Sequence, residues 1–249
     1  MTCEIIYGKV PGSDFIELAA PKDYQKTVPS RFPLILKLDY PSKSMGTSHP
    51  PIFCYTKGKR NEQEYNVLSC IKWFAGRLGN YFAQHLIFEK KDDLIAAGPA
   101  GPAWLIKRHT FYIETLNDWN ERGKETENYD WRPIILPSNY RIGTGKEWGT
   151  HINKIIENIK EAWNGQDTQK KFVLKFDPNE HNDTDRLDPL YDLYALIDDD
   201  KRWNYQFCTF DGQRERDPPT WDIVFVADDK TSQKYQSKGY KHFNLKGDE

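Results

Sequence analysis

Tyr65-Asn66-Val67-Leu68-Ser69-Cys70-Ile71-Lys72-Trp73-Phe74 and, six residues later, Tyr81-Phe82-Ala83-Gln84-His85-Leu86-Ile87-Phe88-Glu89-Lys90 are the runs that decide the fold. Each is rich in aromatic and aliphatic residues, of strand length and free of proline. The connection, Ala75 to Asn80, contains Gly76 and Gly79, which suit a chain reversal, so the pair predicts an antiparallel hairpin. A period of two puts Phe82, Leu86 and Phe88 on one face, with Gln84 as the polar exception, and Tyr81, Ala83, His85 and Ile87 on the other. Apolar side chains on both faces predict a central strand.

Further strands are expected toward the N-terminus at Cys3–Tyr7, Phe15–Ala19, Leu34–Leu38 and Ile52–Tyr55, with a turn at Pro11–Asp14 and a long polar connection over Pro41–Pro51. Toward the C-terminus, Gly98-Pro99-Ala100-Gly101-Pro102 breaks the chain. A short helix is expected within Ala103–Thr115, then a charged loop over Glu121–Tyr129. Ile152, Ile155, Ile156, Ile159 and Trp163 then form one apolar stripe of a helix that Gly165 ends. A strand follows at Phe172–Phe176. Asp188-Pro189 reads as N-cap and first-turn proline of a helix carrying Leu190, Tyr191, Tyr194 and Ile197. Trp203–Phe210 and Ile223–Ala227 read as strands. The sequence therefore predicts an α+β fold with a mixed β-sheet: a β-rich part over 1–145, an α/β part over 146–227 packed on it, and a polar tail or linker over 228–249.

Composition narrows the function classes. Apolar residues make up only 38% of the 249, but eight Trp, fourteen Tyr and thirteen Phe can fill a core, so the chain is expected to fold rather than remain disordered. A net charge of −2 offers no broad basic face, and a nucleic-acid partner is not expected. No apolar run approaches the roughly 20 residues that span a bilayer, and the start does not read as a secretory signal. Cys3, Cys54, Cys70 and Cys208 form no C-x-x-C pair and read as reduced thiols, so a cytoplasmic location is expected.

The chemically suggestive segments fall short of the spacings that chemistry requires. Gly143-Thr144-Gly145-Lys146 precedes a helix but lacks the first glycine of a phosphate loop, and Glu147 replaces its final Ser or Thr. Asp177 to Asp185 is dense in oxygen ligands but lacks the central glycine of a calcium loop, and reads as a solvated loop. Asp198-Asp199-Asp200 is followed by Lys201-Arg202 and reads as a locally compensated turn. His49, His85, His109, His151, His181 and His242 show no metal-ligand spacing, so neither metal nor cofactor is expected. His85 reads either as a histidine satisfied in the core or as a pocket group beside Arg77 and Asn80. There is no G-x-S-x-G elbow, and Cys70 with His85 on paired strands is the one nucleophile–base pair to weigh. Arg202-Trp203 reads either as an exposed contact pair or as a core-edge indole beside a solvated arginine.

A family resemblance follows from these segments. Arg77-Leu78-Gly79-Asn80-Tyr81-Phe82-Ala83-Gln84-His85-Leu86 resembles the R-x-G-N-[FY]-[FIV]-A-H-x-L strand of the bacterial GTPase-associated N-terminal domains. Gly101-Pro102-Ala103-Trp104-Leu105, with Trp119, looks like the segment that follows it in that family. Lys201-Arg202-Trp203, leading into Gln206-Phe207-Cys208-Thr209-Phe210, looks like its P-x-x-R-W-x-x-T-F-x-T strand. The three stretches fall in the family's order, across roughly 1 to 227. The chain departs from the pattern at Gln206, where threonine is usual, at Gln84, and at Ile6-Tyr7-Gly8-Lys9. The resemblance implies an N-terminal module of larger bacterial proteins encoded beside GTPases, proteases or other effectors in conflict and defence systems. It carries no catalytic residues.

The expectation is thus a non-enzymatic adaptor or sensor that binds a GTPase or effector through residues 76–85 and 200–204, with Arg77, Asn80, His85, Arg202 and Trp203 as the binding positions. Two alternatives stay open: a hydrolase or nuclease using His85 and Arg77, and a sensor of a small anionic ligand at Arg77 and Arg202.

Overall fold

A computed structural model describes residues 2–9, 15–19, 51–60, 63–73, 81–109, 111, 148–165, 170–177, 180, 183–209 and 221–246. The expected strand at Leu34–Leu38, the Pro41–Pro51 connection and the boundary near 145 lie outside them. In chain order the strands are β1 (Thr2–Lys9), β2 (Phe15–Ala19), β3 (Ile52–Arg60), β4 (Gln63–Trp73), β5 (Tyr81–Phe88), β6 (Phe172–Lys175), β7 (Phe207–Cys208), β8 (Ile223–Val226) and β9 (Lys241–Asn244). The helices are α1 (Lys91–Ala97), α2 (Pro102–Arg108), α3 (Thr150–Asn164), α4 (Asp183–Ala195) and α5 (Asp229–Gln236), with a 3-10 turn at Arg202–Asn204.

All nine strands form one mixed sheet in the order β2-β1-β5-β4-β3-β7-β8-β6-β9. The β2-to-β3 half is antiparallel, and β4 and β5 pair with Ser69 opposite His85 and Cys70 opposite Gln84. β5 lies between β1 and β4, as its two apolar faces require. The β7-to-β9 half is parallel. The halves meet where β7 runs antiparallel to β3, pairing Cys208 with Cys54 and Phe207 with Tyr55. The N-terminal and C-terminal parts therefore share one sheet through this seam.

The helices cover the sheet through aromatic packing. Trp163 of α3 stacks on Tyr205 with centroids 4.0 Å apart and meets Phe172 of β6 and Tyr194 of α4 edge-on or tilted. Tyr194 in turn packs on Phe207. α2 begins at Pro102, whose missing N–H costs nothing in a first turn. The preceding Gly101 has φ +97, a left-handed conformation that disfavours any side chain, and Tyr194 would stand 3.3 Å from an added Cβ.

Three expectations are corrected. The segment over 228–249 is no tail through Lys246: it forms α5 and then β9, which adds a parallel strand beside β6. Its polar composition reflects an exposed edge rather than an absence of structure. Pro189 does not start a helix but lies inside α4. Tertiary packing overrides the proline penalty, because Leu187, Leu190, Tyr191 and Tyr194 are buried and Asp188 is held by an ion pair with Lys107 of α2 rather than capping. The strand expected over Trp203–Phe210 shrinks to Phe207–Cys208, because Arg202–Asn204 turn to bury Trp203.

Candidate functional site

The sequence nominates five positions, and the structure separates them. Arg77 and Asn80 lie outside the described residues, as does the whole connection over 74–80. His85 sits in the middle of β5, 3% exposed. Its Nδ1 lies 2.8 Å from Ser69 Oγ on the neighbouring strand, a pairing imposed by the register. Burial lowers its pKa from the ordinary value to about 3, so the imidazole is neutral at physiological pH. This is the core-histidine reading rather than the pocket reading. Cys70 is not its partner: in register with Gln84, it points to the opposite face of the sheet. The Cys70–His85 pair is thereby excluded by one residue of register.

Arg202 and Trp203 are buried as well, at 7% and 2% exposure. Trp203 meets Tyr55 of β3 edge-on at 5.4 Å, and the Tyr55 hydroxyl lies 2.8 Å from both the Trp203 carbonyl and Asn66 Oδ1. Burial raises the Tyr55 pKa well above the usual phenol range, so the hydroxyl keeps its proton. Arg202 is neither solvated nor stacked in an exposed pair. Its Nε donates to the Tyr194 carbonyl at 2.9 Å, one terminal nitrogen to the Pro99 carbonyl at 2.9 Å, and the other to the Ala195 carbonyl at 3.2 Å. Asp199 completes the set at 2.6 Å while remaining 89% exposed itself.

His85 and Trp203 do not share one face of the sheet. Three strand spacings, about 14 Å, separate β5 from β7 across the sheet. Tyr55, which carries Trp203, alternates to the face opposite Cys54, Ser69 and His85. The two nominated centres therefore lie on opposite faces.

What Arg202 builds is a surface turn. By joining the carbonyls of residues 99, 194 and 195, it fixes the end of α4 to the turn after α1. The chain beyond that point carries Leu196, 45% exposed, and the exposed Asp198, Asp199 and Asp200. Lys201 pairs with Asp198 at 2.7 Å and donates to the Asn164 carbonyl at 3.1 Å, which ties the turn to the end of α3.

Two further groups were not legible in the sequence. Gln206 is a seam residue: its side-chain oxygen accepts from Lys57 N–H at 2.7 Å, while its own N–H donates to Asp222 at 2.7 Å. Burial raises the Asp222 pKa, opposed by that backbone hydrogen bond and by Lys171 and Lys57. Arg186, 1% exposed, lies at the carboxyl ends of β6 and β7. It donates to the Thr209 carbonyl at 2.9 Å and sits 4.8 Å above the Phe176 ring.

The parallel half also has a switch point. β6 leads through α4 past β8 to β7, whereas β8 leads through α5 past β6 to β9. Crevices at such points commonly receive ligands. Here the Asp228 carboxylate accepts from Thr231 N–H and Thr231 Oγ at 2.8 Å each and so is committed to capping α5. Among the described residues no group of His, Cys, Asp and Glu is placed to hold a metal ion, and no helix is long and apolar enough to cross a membrane.

No protein-family model matches the chain, and neither the characterised proteins nor the solved structures include a significant match.

Proposed function

We propose that this chain is a non-enzymatic protein-interaction module whose partner docks on the turn from Leu196 to Lys201. The observation that carries the reading is the Arg202 clamp. A buried guanidinium is spent on backbone carbonyls, and the turn it fixes presents a large apolar side chain within an acidic rim. A pre-organised apolar anchor bordered by charge is the arrangement that protein recognition favours. Asp198 and Asp199 are already paired with Lys201 and Arg202, so the charges around Leu196 orient a partner more than they attract one. The sequence resemblance to bacterial GTPase-associated N-terminal domains supplies the partner class, a GTPase or effector of a cytoplasmic conflict or defence system.

Local chemistry gives the alternatives less support. A general base at His85 would need access and a pKa near neutrality, whereas His85 is buried with a pKa of about 3. An anion sensor at Arg202 would need a guanidinium not already committed to three carbonyls and Asp199.

The test is purification of tagged chain from its native host, with complex mass and stoichiometry read by light scattering, alongside the Leu196→Asp variant. The expected result is a stoichiometric complex whose Kd rises tenfold or more, about 1.4 kcal/mol, in the variant. A complex of equal affinity in both, or a lone monomer recovered from the host, would overturn the proposal.

A further inference from the structure

Register brings two cysteines together that lie 154 positions apart in the chain. Cys54 of β3 and Cys208 of β7 are direct cross-strand partners, both 0% exposed, with their sulfurs 3.3 Å apart. Thr209 N–H donates to the Phe53 carbonyl at 2.9 Å, and the Thr209 hydroxyl accepts from Phe53 N–H at 2.9 Å. Phe53 and Thr209 therefore occupy a hydrogen-bonded position of the antiparallel ladder, and the next pair, Cys54 with Cys208, occupies a non-hydrogen-bonded one. There the two Cα atoms approach to about 4.5 Å and the side chains run closest, within the range that a disulfide accepts. Only the sulfurs must move, from 3.3 Å to the roughly 2.05 Å of a bond.

We propose that Cys54 and Cys208 form a reversible intramolecular disulfide on oxidation, joining the antiparallel and parallel halves of the sheet at their seam. The oxidant is a low-molecular-weight disulfide of the glutathione class. One cysteine thiolate attacks it, forming a mixed disulfide and releasing one thiolate. The second cysteine thiolate attacks the mixed disulfide at the protein sulfur and releases the other. Two protons leave the protein, and two electrons reduce one oxidant molecule to two thiols. Because both sulfurs are buried, the oxidant reaches them when the seam opens and, in the refolding sample, before it has formed. Cys70 takes no part, since it points to the other face of the sheet. The inference is independent of the proposed docking turn.

The experiment exposes the native chain to glutathione disulfide and, in parallel, refolds it from urea in the same redox buffer. Non-reducing peptide mapping and intact mass then read the products. The expected result is one cross-linked peptide pair containing Cys54 and Cys208, with loss of two hydrogens. It should be reversed by dithiothreitol, abolished by Cys54→Ser or Cys208→Ser, and retained in Cys70→Ser. Closing so long a loop should also raise Tm by on the order of 10 °C in the oxidised form. Cross-links through Cys3 or Cys70, or no cross-link in either the native or the refolded sample, would overturn the proposal. The wild-type map alone decides this, whether or not the serine variants fold.

Discussion

β4 and β5 bury both of their faces, yet Ser69, Gln84 and His85 stand among the apolar residues. In β6 and β8, by contrast, Phe172–Leu174 and Ile223–Val226 are buried without one polar side chain. The antiparallel half thus carries groups whose stability contribution depends on protonation and on cross-strand pairing. The parallel half is held by aromatic packing from α3 and α4 and by short apolar strands. Trp203 and Arg202 sit between them, one on the Tyr55 ring and the other on the end of α4. One sheet thus holds two different kinds of core, coupled by a seam.

The sharpest way to break this coupling is Trp203→Ala. Removing a buried indole from beside Tyr55 of β3 and Gly98 should cost roughly 3–5 kcal/mol. Urea denaturation should show the loss with probes in both halves, whereas a loss below about 1 kcal/mol would mean that the seam is not a shared core. Arg202→Lys comes next. An ammonium cannot reproduce the three-carbonyl fork; the Tyr194 carbonyl keeps the Ile197 N–H at 3.3 Å and the other two are only partly buried, so the loss should be roughly 2 kcal/mol in the same assay.

Acid sharpens the contrast between the halves. The folded pKa of His85, about 3, lies below its unfolded value near 6.5. Its contribution is therefore complete above about pH 6.5 and is lost as the pH falls toward 3, because the unfolded chain takes up the proton first. The slope is about 1.4 kcal/mol per pH unit, or about 2 kcal/mol by pH 5. Wild-type protein should lose that much more stability than His85→Gln between pH 7 and pH 5. Identical pH profiles would contradict a buried neutral imidazole. The smallest effect belongs to the exposed pair of Glu157 and Lys160 on α3, 3.1 Å apart, where Lys160→Ala should change stability by less than about 0.5 kcal/mol.

The same contrast explains what the sequence made legible. β4 and β5 were readable because long strands display their period, and α3 because its isoleucines mark one stripe. β7 was not, since two residues carry no period and the tryptophan before it turns into the core. β9 shows no apolar run because Lys241-His242-Phe243-Asn244 is an edge strand, and polar edges resist aggregation. α4 begins six residues before the start that Asp188-Pro189 imitates, because its true supports, Lys107 and the aromatic cluster, are distant in sequence. Of the nominated residues, His85, Arg202 and Trp203 are buried by contacts that only the fold creates. Arg202 reaches Pro99 across more than a hundred positions.

If the seam couples the two halves, native-state hydrogen exchange resolved by residue should show it. Amides of Val67–Cys70 in β4 and Val224–Phe225 in β8 should open with the same free energy, equal to that of global unfolding. Exchange of the parallel half at a markedly lower free energy, with the antiparallel half still protected, would contradict a single coupled sheet.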